Sequence, residues 1–205
     1  MTTDATPRPA DAVPLLNLPN QLTLARLGLA VVLFVLIALE LWPAALAVFA
    51  VAALTDWLDG YLARRWNLGT AFGRNLDPLV DKVLTCGAFT FLIPVAHAGI
   101  AAWMVVVVVT RELIVTGLRS FVEKAGVKFG AAWPGKLKMV LQCAALVAIF
   151  LDLWGRSPQW SSWTGTVWPA GLTVVRDVLI YAMVVSTIIS GLQYLARATV
   201  LLREG

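Results

Sequence analysis

Charge is scarce in this 205-residue chain: Asp, Glu, Lys and Arg together make up 14%, where a soluble domain carries about 25%. Cysteine is nearly missing too. Cys86 and Cys143 both sit in apolar runs, which excludes a disulfide framework and makes them small core residues. The one histidine, His97, has no second histidine or cysteine near it and reads as a bystander, not a ligand. There is no short apolar stretch ahead of a small-residue cleavage site, so the run from Leu22 past Leu41 reads as an uncleaved first helix. What the chain has instead is hydrocarbon: 60% apolar residues and a mean hydropathy of +0.81. At about 20 residues per crossing, its length allows roughly six membrane helices with short connections and no second domain. A secreted scaffold, a coiled coil and a soluble enzyme on a single anchor are all excluded.

Residues 1–17 are polar and proline-rich and are expected to form a mobile tail. Residues 18–205 are expected to form one all-α, six-helix membrane domain, with spans near 22–41, 43–64, 78–99, 101–120, 136–154 and 171–196. Pro43 and Pro78 fit the first turn of a helix. The connections alternate in charge. Arg64, Arg65, Arg74, Arg119, Lys124 and Lys136 fall on one side, whereas the other side carries only Arg156. The positive-inside bias places both termini and the basic connections in the cytoplasm. Trp42, Trp103, Trp154, Trp160, Trp163 and Trp168 fall on the opposite side, as an interfacial aromatic belt would.

Ionisable groups inside membrane helices cost about 2.5–3.5 kcal/mol each at the bilayer centre on insertion scales, so each needs a reason. Asp56 and Asp59 are three residues apart on the second span, and Asp77 and Asp81 are four apart at the start of the third, so each pair shares a helix face. The connecting segment is expected to make these helices antiparallel neighbours and to bring the four carboxylates together. At about 1.5 Å per residue, Asp56 and Asp59 lie roughly 20 and 24 Å below the outer boundary, in the cytoplasmic third of a core about 30 Å thick. Four like charges that close cannot all stay ionised without cations. Arg64, Arg74 and Lys82 are available, but two divalent ions are the more natural neutraliser, and oxygen-only ligands favour Mg²⁺ or Mn²⁺ over zinc. Such a pair, about 3.5–4 Å apart, grips a diphosphate. Plainer readings exist: Asp77 before Pro78 is a good N-cap, and one or two of the others suit ion pairs with Arg64 or Lys82.

The pattern Asp56-x2-Asp59-Gly60-x2-Ala63-Arg64-x8-Gly73-x3-Asp77-x3-Asp81 resembles the signature of the CDP-alcohol phosphotransferases at all eight positions over 26 residues. The resemblance implies a six-helix membrane fold, usually homodimeric, with two divalent metals held by the aspartates. It further implies transfer of a phosphatidyl group from CDP-diacylglycerol to an alcohol with release of CMP, and no nucleic-acid partner. Asn17-Leu-Pro-Asn20-x2-Thr23-x2-Arg26, Arg111-Glu112-Leu113, Gly117-Leu118-Arg119 and Gly135-Lys136-x-Lys138 are similar to the bacterial phosphatidylglycerophosphate synthases. That similarity implies glycerol 3-phosphate as acceptor and residence in the inner (cytoplasmic) membrane.

Carried onto matching positions, the resemblance makes Asp56, Asp59 and Asp77 metal ligands and Asp81 the metal-associated base. Gly60 and Ala63 let the cytidine approach, Arg64 meets a donor phosphate, and Gly73, Asn20, Thr23 and Arg26 fall on the donor side. A dianionic acceptor requires a second cationic pocket, for which Arg111, Arg119, Lys136 and Lys138 are the candidates. The bland alternatives are a headgroup-facing loop for Lys124, Lys128 and Lys138 and a simple ion pair between Arg111 and Glu112. Two rival functions remain: the same chemistry with inositol phosphate, serine or phosphatidylglycerol as acceptor, or a divalent-cation carrier. The carrier requires polar residues through the full depth, and the outer halves of spans one to four hold no acid except Glu40.

Overall fold

A computed structural model of the chain describes residues 18–66, 71–124, 133–158, 160, 162 and 169–204. Among these, all regular structure is helical. The long elements are α1 (Leu18–Ala38), α2 (Trp42–Trp66), α3 (Ala71–Leu92), α4 (Ala102–Lys124), α5 (Trp133–Arg156) and α6 (Ala170–Glu204). Pro43 and Pro134 occupy first turns, where the missing N–H is not needed. The turn from α1 into α2 is tight. Leu41 N donates to Leu36 O at 2.9 Å and Glu40 N to Ile37 O at 3.0 Å, with Glu40 at φ 56°, which satisfies the last carbonyls of α1 in a Schellman arrangement.

Helix α1 packs against both α2 and α3; α5 touches α2 and α3 and makes its broadest interface with α6; α4 bridges α3 and α6. Among the described residues, α1 and α5 each pack against both α2 and α3; the stretch 56–78, where the two helices are expected to be neighbours, has its side chains outside the described residues. The core runs through all six helices, from Leu33 and Ile37 on α1 to Ile180 and Met183 on α6. Phe49 of α2 meets Phe150 of α5 edge to face, centroids 6.0 Å apart. Cys86 and Cys143 pack against this core.

The outward faces are apolar as well. On α6, Val174, Val178, Val185, Ile189 and Leu192 are all exposed. A continuous apolar exterior of that length calls for lipid or a partner, not water. Two helical stretches, Gly135–Arg156 and Gly171–Arg197, are long and apolar enough to cross a membrane, and shorter apolar stretches occur at Leu24–Ala38, Trp42–Thr55 and Lys82–Leu92. Helix α6 has 35 residues, about 50 Å at 1.5 Å per residue, and so exceeds the 171–196 span expected for it.

Two expectations need correction. Helix α3 begins at Ala71 instead of Pro78 and ends at Leu92, just before Ile93-Pro94, where the proline disfavours helix in the residue ahead of it. Asp77 is therefore inside the helix and is not its N-cap. Trp42 is also misassigned as a belt residue: it is 5% exposed and belongs to the core. Trp154 stacks edge-on with Trp160 at 5.3 Å, and Trp103 is exposed.

Candidate functional site

Helix α2 carries Asp56 and Asp59 one turn apart, and α3 carries Asp77 and Asp81 one turn apart, all four on helical backbone. Capping no longer accounts for Asp77, which sits seven positions into α3. Four carboxylates at one-turn spacing offer only hard oxygen donors, which fits Mg²⁺ or Mn²⁺ and not a thiophilic metal. The side chains of these aspartates lie outside the described residues. The same holds for the side chains at Asn20, Thr23, Ala63, Arg64 and Arg119 and for the surroundings of Gly60 and Gly73. Arg26, on α1, is 2% exposed and the largest fully buried side chain described, so the expected donor-side arginine lies in the protein interior.

Of the expected acceptor-side cations, the structure brings Arg111 and Lys138 together and leaves Lys136 exposed in the first turn of α5. The common partner is Glu112, 6% exposed on α4. Its Oε1 accepts from Lys138 Nζ, and from Arg111 Nη1 at 3.1 Å. Lys138 is 2% exposed, so it is no headgroup-facing loop residue. Burying an ammonium is tolerable only with a counter-charge, and Glu112 supplies it. Arg111 does pair with Glu112, but that is half of its environment. Nη2 donates to Ser190 Oγ at 2.5 Å, and the guanidinium carbon lies 5.5 Å from the centroid of the Tyr194 ring. Arg111 Nε is buried and has no hydrogen-bond partner among the described residues. Two cations thus share one carboxylate, leaving an excess positive charge and an unused donor.

This cluster is tied to the aspartate-bearing helix. Lys82, next to Asp81 on α3, donates from Nζ to Thr116 Oγ1, and the Thr116 hydroxyl donates to the Glu112 carbonyl at 2.6 Å. Lys82 thereby links α3 to α4 one turn from Glu112. The arrangement can bind an anion between α4, α5 and α6, because excess positive charge in a buried setting attracts it strongly.

Sequence reasoning reached Glu112 only as a possible mate for Arg111, and it missed Ser190 and Tyr194. A signal was available: Thr187, Ser190, Gly191 and Tyr194 follow i, i+3, i+4, i+7 spacing on an otherwise apolar helix, and all three side chains are buried.

A second polar cluster, also missed, closes the other end of the molecule. Asp152 on α5, 1% exposed, accepts from Arg176 Nη1 at 2.6 Å, from Arg156 Nε at 2.9 Å and from Thr173 Oγ1 at 2.8 Å. Arg176 also donates to the His97 carbonyl and, from Nη2, to Asp177 at 2.7 Å. His97 contributes its backbone here, at φ 63°, in the turn between α3 and α4.

A family model described as CDP-alcohol phosphatidyltransferase matches residues 16–189. Among curated proteins, the chain is 36% identical over 188 residues to the CDP-diacylglycerol--glycerol-3-phosphate 3-phosphatidyltransferase of Shigella flexneri serotype 5b, covering 89% of this chain and 94% of that protein. It is 35% identical to the Escherichia coli K12 protein of the same name, with the same coverage. To the Bacillus subtilis protein of that name it is 39% identical over 150 residues, 66% of this chain and 77% of the relative. With the match spanning most of α1 to α6, and the eight-position signature inside it, the chain belongs to the CDP-alcohol phosphatidyltransferase family.

Proposed function

We propose that the chain transfers the phosphatidyl group of CDP-diacylglycerol to the 1-hydroxyl of sn-glycerol 3-phosphate, giving phosphatidylglycerophosphate and CMP. The observation that carries this reading is the 35–36% identity, over 94% of their length, to relatives named for that reaction. The excess positive charge of the Arg111–Glu112–Lys138 cluster supports an acceptor that is itself an anion.

Asp56, Asp59, Asp77 and Asp81 would hold two divalent ions, Mg²⁺ or Mn²⁺. What these supply is charge stabilisation at the pyrophosphate. Asp81 accepts the proton of the acceptor hydroxyl as its oxygen bonds to the phosphatidyl phosphorus, and the pyrophosphate bond breaks to release CMP. An ordinary carboxylate is too weak to ionise an alcohol beforehand, but it can take the proton as the bond forms. Arg64 engages a donor phosphate, where a planar fork is useful. Gly60 and Ala63 leave room for the cytidine; Gly73, Asn20, Thr23 and Arg26 complete the donor side. Arg111, Arg119, Lys136 and Lys138 attract the acceptor phosphate.

The proposed setting is the inner membrane, crossed six times, with the aspartates and both termini on the cytoplasmic side. In support, the charged signature opens at Asp56, after the apolar run of α2, and closes at Asp81-Lys82, ahead of the apolar run of α3, an order that suits a catalytic notch at headgroup depth.

Purified protein assayed for CMP release with CDP-diacylglycerol and a panel of alcohols tests the reading. Glycerol 3-phosphate should be used far better than inositol phosphate, serine or phosphatidylglycerol, and chelation should stop turnover until Mg²⁺ or Mn²⁺ is restored. Asp81→Asn should cut the rate about 10²–10⁴-fold with membrane insertion unchanged. Near wild-type activity in that variant removes Asp81 as base. Metal flux into sealed vesicles without CMP production points instead to the carrier.

A further inference from the structure

The proposed acceptor site draws on α4 and α5, yet Arg111 takes most of its contacts from α6. Ser190 Oγ accepts from Nη2 at 2.5 Å, the Tyr194 ring lies beneath the guanidinium at 5.5 Å, and Gly191 lets the helix approach the arginine stem. A Cβ at Gly191 would stand 3.2 Å from Arg111 Cγ, tighter than an ordinary contact. Ser190 is fully buried and Tyr194 is 8% exposed. The Tyr194 hydroxyl also reaches the start of α5, where a Cβ at Gly135 would meet it at 3.5 Å, one residue before Lys136.

These contacts select one orientation for a side chain that otherwise samples many. With Nη1 on Glu112 and Nη2 on Ser190, the unsatisfied buried group is Nε. A buried donor left without an acceptor is costly, and an incoming anionic oxygen satisfies it. Because a guanidinium is planar, its recognition of phosphate depends on how it is held, and the Tyr194 ring and Ser190 hydroxyl are the α6 groups against it.

We propose that α6 is a working wall of the acceptor site, with Ser190 and Tyr194 as positioning residues that aim Arg111 at the phosphate of the acceptor. This rests on the reading of Arg111 as an acceptor contact. A purely interhelical lock would use the same contacts but would not couple them to one substrate.

The experiment compares the full-length wild type with Tyr194→Leu, Tyr194→Phe, Ser190→Ala and Arg111→Leu in CDP-diacylglycerol micelles. It measures KM for glycerol 3-phosphate, KM for the lipid donor and thermal midpoint. Tyr194→Leu should raise the glycerol 3-phosphate KM about tenfold and leave the donor KM in place. Tyr194→Phe, which keeps the ring face, should recover most of that loss, and Ser190→Ala should raise the same KM about fivefold. If Tyr194→Leu does not fold, Ser190→Ala, which removes a single oxygen, decides. The role of α6 is overturned if the α6 variants leave the glycerol 3-phosphate KM within about twofold, or if both KM values rise together with a falling midpoint. Should Arg111→Leu raise that KM while the α6 variants do not, only the α6 role falls. Should Arg111→Leu also leave it unchanged, the acceptor reading of Arg111 falls as well.

Discussion

The two polar clusters of this molecule differ in charge balance. Where the end of α5 meets the start of α6, Asp152 and Asp177 face Arg156 and Arg176, two acids against two bases, and the arginine donors end on Asp152, Asp177, Thr173 or the His97 carbonyl. Toward the α4–α5 end, Arg111 and Lys138 share Glu112, and Arg111 Nε has no partner among the described residues. Both clusters bury charge, and a buried charge is kept only where something offsets its desolvation. At the balanced end that offset is complete within the protein, and the cluster acts as a clasp joining α5, α6 and the turn after α3. At the unbalanced end it is incomplete among the described residues, which favours an anionic ligand. Opposite charges in a helix bundle are therefore no guide to function until the residual charge has been counted.

Glu112→Ala tests the contrast most severely. It leaves two buried cations without a counter-charge, so about 3–5 kcal/mol of stability should be lost, together with turnover. Thermal unfolding and CMP release should fall in parallel. Asp152→Ala at the opposite clasp should cost a comparable 3–5 kcal/mol or somewhat less, since Asp177 still holds Arg176. Here the surviving folded enzyme should keep its KM for glycerol 3-phosphate, and a raised KM would break the division between clasp and site. The smallest effect is expected from Gly99→Ala. Gly99 has φ +74°, and a Cβ there would lie 3.0 Å from the Arg176 guanidinium. A loss of about 1–2 kcal/mol with unchanged kinetics should follow, read as a lower thermal midpoint.

Much of the architecture was legible in the residues. Helix number followed from apolar run lengths, and the start of α2 followed from Pro43 in a first turn, whereas α5 opens at Trp133, three residues ahead of its expected start. The end of α3 was legible too, since Pro94 disfavours helix in the residue ahead of it, although the apolar run past it drew the expected span on to 99. The early start of α3 was not. Pro78 looked like a first-turn proline, and it is instead the eighth residue of the helix. Lys138 was misread because its flanks, Lys136 and the preceding loop, are polar. Only the position of Glu112 on another helix explains its burial. Trp42 was misread for the same kind of reason: composition places a tryptophan at a boundary but does not say which way it faces.

The sequence by itself determined the family, the all-helical class and the acidic signature, because each rests on spacing along one chain: eight residues over 26, and apolar runs about as long as a bilayer is thick. Only the tertiary structure decided which cations share a carboxylate, which helix steadies Arg111, and that a second ion cluster clasps the opposite end. Those facts join residues 24 to 79 positions apart, and no local pattern encodes which faces of separate helices will meet.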